Sequence, residues 1–154
     1  MLTKEYVAGL FDGEGCITVG RRRSPIASEV FTAHKIVIQI RLAYKPILEL
    51  IQQQYGGVLT PYKEYRNPDD IVISKKPCYT WVLVREALVQ RFLEDMYPLT
   101  HEKQPQCWLA LEFLAQKHSV KNRWASKDTE AYHEEMALRD GFYWALRLAK
   151  QELF

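Results

Sequence analysis

The chain has 154 residues, 47% of them hydrophobic, which is enough for one domain with a core and too many for disorder. No apolar run reaches membrane-spanning length and the opening MLTKEYVAGL lacks the apolar run of a secretory signal, so an intracellular protein without a membrane partner is expected. The net charge of +2 is uninformative, but residues 20–45 carry +5 and residues 92–116 carry −3, a split that suits a phosphate-facing side as well as it suits a solvated basic hairpin.

Thr3 can cap a first helix running to about Phe11, with Glu5 in its first turn. The stretch VAGLFDGEG follows this apolar helix with two carboxylates, Asp12 and Glu14, among glycines. CITVGRRR then reads as a strand in which Ile17 and Val19 alternate with Thr18 and Gly20. SPIASE is a loop. HKIVIQIRL is the clearest strand: Ile36, Ile38, Ile40 and Leu42 line one face, Lys35, Val37, Gln39 and Arg41 the other.

A helix over YKPILELIQQQY follows, with Pro46 in its first turn, a stripe of Ile47, Leu48, Ile51 and Tyr55, and Gly56-Gly57 as its stop. VLTPYKEY is a third strand, bent or placed at an edge by Pro61. RNPDD turns, and IVISKKP with CYTWVLV forms one interrupted strand or two short ones. In the latter, Tyr79 and Trp81 are read as packed. REALVQRFLEDM is helical, YPLTHEKQP breaks the chain, and QCWLALEFLAQK is helical again. From about Ser126 onward the pattern predicts one amphipathic helix, or two with Gly141 as the joint between them.

The three cysteines, Cys16, Cys78 and Cys107, have no C-x-x-C spacing and read as reduced thiols; the four histidines, with no ligand spacing, read as ordinary polar residues. The order of elements gives a single α+β domain over residues 1–154, with an antiparallel sheet carrying helices on one face. No second copy of the opening motif is visible.

VAGLFDGEG, residues 7–15, resembles the signature of the LAGLIDADG homing endonuclease family. The order of elements is similar to that family's αββαββα core, over about residues 3–117, and EKQPQCWLALEFL resembles its late lysine-containing turn and helix. The C-terminal segment, about 126–154, would buttress the sheet. The resemblance implies a concave four-stranded antiparallel sheet and a homodimer, because such single-motif chains pair through the motif helix. Ala8, Gly9, Phe11, Asp12 and Gly13 would then lie at the dimer interface. Small residues at 8, 9 and 13 fit a close helix approach, since interior glycine otherwise costs a helix about 1 kcal/mol; a helix tucked against its own sheet is the other explanation.

The family further implies a Mg²⁺-dependent DNA nuclease, with Mn²⁺ as a substitute. Glu14 and the backbone carbonyl of Gly13 would hold the metal. Glu14 and Lys103 would act in catalysis, with Asp12 fixing the helix end and site geometry. Glu stands where the family more often has Asp, and the family's Gln-like polar residue near the entry to the second helix has no counterpart, because the inward residues there are Ile40 and Leu42.

Double-stranded DNA would be read by the polar sheet face. Thr18, Arg22, Lys35, Gln39 and Arg41 are the candidate readers from the first hairpin, and Tyr62, Lys63, Arg66, Lys75 and Lys76 from the second. Arg21, Arg23 and Lys45 are candidate phosphate contacts. A target of about twenty base pairs, roughly palindromic, would suit two subunits. Two rivals stand beside this reading: an RNA-splicing maturase, bound to an intron RNA, or a DNA-binding regulator, either keeping the fold without cleavage; and a plain interaction domain with an accidental motif. Glu14 and Lys103 argue against the first, the polar strand face against the second.

Overall fold

The computed structural model describes residues 1–23, 31–61, 77–119 and 130–152. The elements run α1 (Lys4–Glu14), β1 (Gly15–Arg23), β2 (Phe31–Leu42), α2 (Lys45–Tyr55), β3 (Val58–Pro61), β4 (Tyr79–Leu83), α3 (Glu86–Met96), α4 (Gln104–Ser119) and α5 (Glu130–Glu152). The strands form one antiparallel sheet in the order β1-β2-β4-β3, so among the described residues β1 and β3 are its edges. The expected α+β class and the αββαββ run are therefore present.

Alternation decides which side of the sheet is covered. Ile17, Val19, Ile36, Ile38, Ile40, Trp81 and Leu83 are all buried beneath the helices. Their neighbours in sequence project from the other face, because successive strand residues point to opposite sides. The helices add Val7, Ala8 and Phe11 from α1, Leu48, Ile51 and Tyr55 from α2, and Val89, Phe92, Leu93 and Met96 from α3. Phe92 is a hub. Its ring lies 5.1 Å from Phe11, 5.0 Å from Tyr55 and 5.4 Å from Trp81, joining α1, α2 and β4. The pairs with Phe11 and Tyr55 are edge-to-face, an arrangement that contributes about 0.5–1.5 kcal/mol each beyond the area buried. Tyr55 turns its hydroxyl to Asp95 at 3.0 Å; burial first, and then this carboxylate, push its pKa up to about 12.

Helix ends follow local chemistry. Thr3 caps α1 by accepting from the Tyr6 N–H at 3.2 Å. Gly56 and Gly57 end α2 at φ 82° and 91°, a region that glycine enters without a Cβ penalty. Gly57 has a second constraint: a Cβ there would lie 2.6 Å from the Val82 carbonyl oxygen and 2.8 Å from Trp81 Nε1. The Trp81 N–H meanwhile donates to the Gly56 carbonyl at 2.8 Å, so the turn and the buried indole fix each other.

Of the one or two helices expected after Ser126, one is present: α5 runs through Gly141 without a joint, and among the described residues nothing lies within 4 Å of a Cβ at that position. Helix propensity here yields to continuity of packing along α5. α4 begins at Gln104, two residues before the predicted start, because Pro105 suits a first turn. The third strand is seen as Val58–Pro61; the remainder of its predicted span lies outside the described residues.

Gly57→Ala is expected to lower unfolding free energy by about 3 kcal/mol, from left-handed strain plus the clash. Gly141→Ala should raise it by about 0.5–1 kcal/mol. Urea midpoints measure both, and equal shifts at the two positions would contradict this account.

Candidate active site and nucleic-acid interface

The carboxylates of the opening motif part company at the end of α1. Glu14, the last helical residue, is exposed. Asp12 points back into the chain. Its Oδ2 accepts from the His101 N–H at 2.8 Å and its Oδ1 from the Lys103 N–H at 3.0 Å. Lys103 completes the clasp, its Nζ donating to the Asp12 carbonyl at 2.7 Å and lying 5.9 Å from the Phe11 ring centre. A helix C-terminus carries about half a negative charge. The ammonium and the two N–H groups offset it where a carboxylate would otherwise be unfavourable.

Behind the clasp, α4 inserts Gln106 and Cys107 into the interior. Burial pushes the Cys107 thiol up to about 11. Gly15 caps α1, its N–H donating to the Phe11 carbonyl. A Cβ on Gly15 would lie 2.2 Å from the Phe11 ring, so the strand can leave the helix this tightly only with glycine there. Nothing in the local pattern marks His101 as a partner of residue 12, since the contact spans 89 positions. Gly15 carried a visible signal, the last small residue of the motif.

The outer face of α1 is open. Gly9 and Gly13 are exposed, and among the described residues a Cβ at either would meet nothing within 4 Å beyond the helix itself. Packing against the chain's own sheet therefore does not account for them. Tyr6, 46% exposed, and half-buried Leu10 lie on the same stripe by helical spacing. The expectation that Ala8 and Phe11 share this face is corrected: both are buried in the chain's own core, about a quarter-turn or more away from Gly9 and Gly13.

On the sheet, Arg22, Lys35, Gln39 and Arg41 are exposed, and Thr18 is half-buried, all on the face away from the helices. Cα register sets Cys16, Gln39, Val82 and Val58 in one row across the four strands, and Arg41, Thr80 and Thr60 in the next. Val58, Thr60, Thr80 and Val82 were not among the sequence candidates, although alternation with Leu59 and Trp81 was there to find them. Tyr62, Lys63, Arg66, Lys75 and Lys76 lie outside the described residues, and the side chain of Arg23 does too. Lys45 sits in the first turn of α2, 3.4 Å from Glu49 and 5.5 Å from the Tyr79 ring centre.

Arg21 is a second correction. It shares the parity of Ile17 and Val19, so it turns toward the helices, not toward the open face. Its guanidinium meets Asp140 of α5 at 2.8 Å and stacks 3.6 Å from the Tyr143 ring centre. Its side chain is only 17% exposed. Across the strand pair, His34 is buried with Nε2 3.4 Å from the same Asp140 oxygen. Burial lowers the His34 pKa against the opposing pull of Asp140. Burial by itself would raise Asp140, but its hydrogen bonds from Arg21 and His34 and their charges hold it below the usual carboxylate range.

No protein-family model matches the chain, and no curated protein matches its sequence. Solved structures do. The homing endonuclease I-CvuI, in complex with its target in the presence of calcium, aligns at TM-score 0.61 and 18% identity, over 97% of this chain and 93% of that one. The homing endonuclease I-TnaI aligns at 0.61 and 18% identity, over 99% of each chain. The LAGLIDADG homing endonuclease I-GzeII, in complex with a DNA target, aligns at 0.63 and 11% identity, over 89% of this chain and 42% of that one. The chain thus has the fold of the LAGLIDADG homing endonucleases, as its motif suggested.

The α5 clamp has a pH signature. His34 and Asp140 both titrate lower in the folded chain than in an unfolded one. Each therefore favours folding above its ordinary pKa and loses that contribution as pH falls through its folded value. The thermal midpoint should be flat near pH 8 to 7, fall below about pH 6.5 as His34 is forced to charge, and fall again below about pH 4 with Asp140. His34→Gln should flatten the upper step. A midpoint that rises between about pH 7 and pH 5 would contradict the sign.

Proposed function

We propose that the protein is a sequence-specific DNA endonuclease that acts as a homodimer and cuts both strands of a long, roughly palindromic duplex inside the cell. One observation carries the reading: an exposed Glu14 stands at the foot of an open-faced helix, two residues beyond a carbonyl that holds the Lys103 ammonium. The fold's likeness to homing endonucleases solved with DNA supports the same conclusion.

The donor set suits a hard cation. Among the described residues no three His, Cys, Asp or Glu side chains are grouped as a closed metal site. Mg²⁺ needs no such cage; it takes one or two carboxylates and completes its shell with phosphate and water. Glu14 would hold it together with the Gly13 carbonyl, while Asp12 is committed to the turn at 101–103. When bound, Mg²⁺ or Mn²⁺ supplies a more acidic water and neutralises charge on the phosphoryl oxygens.

The chain's own groups do the positioning. Asp12 locks α4 to the end of α1, which sets the Lys103 ammonium beside Glu14's helix end. From there a single positive charge can order the attacking water or stabilise the charge that develops on the phosphate. The open sheet face would lie in the major groove. β2, with 12 residues, extends about 40 Å at 3.3 Å per residue, on the order of eleven base pairs of rise. Arg22, Lys35 and Arg41 would supply positive charge for phosphates or guanines, and Thr18 and Gln39 neutral hydrogen-bonding contacts; Tyr62, Lys63, Arg66, Lys75 and Lys76, expected to contribute, lie outside the described residues. Pairing through Tyr6, Gly9, Leu10 and Gly13 would bring two Glu14 residues near a twofold axis, one for each strand.

Glu14→Gln should leave affinity for the target duplex within about threefold while cleavage in Mg²⁺ falls at least about a hundredfold, the scale of losing an essential group. Target duplex can be drawn by selection from a random library. Cutting at the normal rate by the Glu14→Gln variant would remove Glu14 from the mechanism. Binding without cutting by the unmodified chain in every divalent metal would favour a splicing or regulatory protein.

Assembly is tested separately by sedimentation at micromolar concentration. The expected mass is twice the 18.1 kDa of one chain. Gly9→Leu should halve that mass without lowering the thermal midpoint of the monomer, since among the described residues no other part of the fold lies within 4 Å of a Cβ at position 9. A monomeric unmodified protein would overturn the twofold arrangement.

A further inference from the structure

The row Cys16–Gln39–Val82–Val58 interrupts a basic and polar surface with two adjoining valines. Val58 is 59% exposed and sits on the edge strand β3, with Val82 directly opposite on β4. Edge strands ordinarily carry charges or proline to discourage contact, and β3 has such a residue at Pro61 but not at Val58. Valine's strand propensity explains its presence in either strand, but it does not explain leaving Val58 exposed beside a half-buried Val82 on the face that carries Arg22, Lys35 and Arg41.

We propose that this row reads A·T base pairs in the major groove, Gln39 at an adenine and Val82 and Val58 at thymine methyl groups. The inference rests on the DNA-binding reading above and names what that surface selects. The chemistry is restrictive. The thymine 5-methyl is the one apolar group that the bases present in the major groove, and an adenine offers the N6/N7 edge that a glutamine amide matches. An A·T pair presents both. A cytosine under either valine would bring an amino donor against a side chain that accepts nothing, leaving that donor unpaired.

Geometry allows it. Side chains two apart on a strand are about 6.7 Å apart, close to two base-pair rises of about 3.4 Å, so one row faces about two adjacent pairs. The flanking row, Arg41–Thr80–Thr60, supplies hydrogen-bonding groups and a cation instead of methyls. At the far end Lys150 of α5 reaches Cys16, with Nζ 3.6 Å from Sγ, adding positive charge where the row meets the β1 edge. Positive charge on the same face thus favours a polyanion as the occupant over an apolar protein segment.

The test is selection of duplexes from a random library by the intact protein in EDTA, followed by replacement of each selected thymine, one at a time, with deoxyuridine. That change deletes one methyl and nothing else. At least one thymine in each half of the site should lose about fourfold in affinity, the value of one buried methyl-sized group. The loss should vanish with Val58→Ala and Val82→Ala together. If that pair lowers the thermal midpoint, Val58→Ala alone, on the exposed edge, answers the question. Gln39→Ala should relax preference at an adjoining adenine by roughly tenfold or more. A selected duplex whose affinity is indifferent to every deoxyuridine, or equally sensitive with the valines removed, overturns this inference and leaves the nuclease reading intact. No selected duplex at all overturns both.

Discussion

Everything at the end of α1 depends on the reciprocal clasp between residue 12 and residues 101–103. A carboxylate at a helix C-terminus is electrostatically misplaced unless donors reach it. Here two backbone N–H groups reach it at 2.8 and 3.0 Å, and the Lys103 ammonium takes the backbone carbonyl of the same residue at 2.7 Å, all from a turn about ninety positions along the chain. Charge-assisted bonds are roughly twice as strong as neutral ones. They tie α4 to α1 more specifically than apolar packing, which tolerates sliding. The same bonds use up Asp12. Glu14 is left exposed as the carboxylate of this motif that can meet something outside the chain.

A second clasp, at the opposite end of β1, explains why a cluster of arginines does not act as one patch. Strand parity sends Arg21 to the covered side and Arg22 to the open side. On the covered side a lone guanidinium would be costly, and Asp140 and Tyr143 accommodate it, while buried His34 meets the same Asp140 carboxylate. The C-terminal helix is thereby docked through an ion pair over a buried histidine, not through hydrophobic area alone. Lys117 extends the arrangement from α4, donating both to the His34 carbonyl and to Glu86 of α3.

Much of this is legible in the sequence because it is local. Period-two alternation in HKIVIQIRL marks β2 and its two faces, and Gly56-Gly57 marks the end of α2. The motif points to the fold that the solved structures share. Side-chain direction within a helix is less legible. Ala8 and Phe11 stand beside Gly9 in sequence, but each residue advances the helix by about 100°, so adjacency in the motif says nothing about a common face. Arg21 misleads for the complementary reason: charge groups it with its neighbours, while alternation with Val19 already turns it inward. Long-range partners such as His101 for Asp12, or Asp140 for Arg21, leave no trace in local pattern at all. The single span of α5 through Gly141 is decided by its packing on α4 and β1, against the preference of the glycine.

The two faces of the sheet carry different obligations, and this bears on how such a protein can change what it recognises. Buried positions such as Ile38, Ile40 and Trp81 set the register, because a one-residue slip would turn each of them outward. The residues between them inherit that register without supporting it. Lys35, Gln39, Arg41 and Val58 are exposed, so substituting them removes little buried surface and leaves the backbone where the core holds it. Residues at the α1 end have no such freedom: Gly15 is confined by Phe11 and Asp12 by two backbone donors. The reading surface can therefore vary row by row on a fixed frame, while the end of α1 must stay as it is. On the proposed reading, target preference and cleavage chemistry are separable in this fold because strand parity and the Asp12 clasp keep their side chains from sharing contacts.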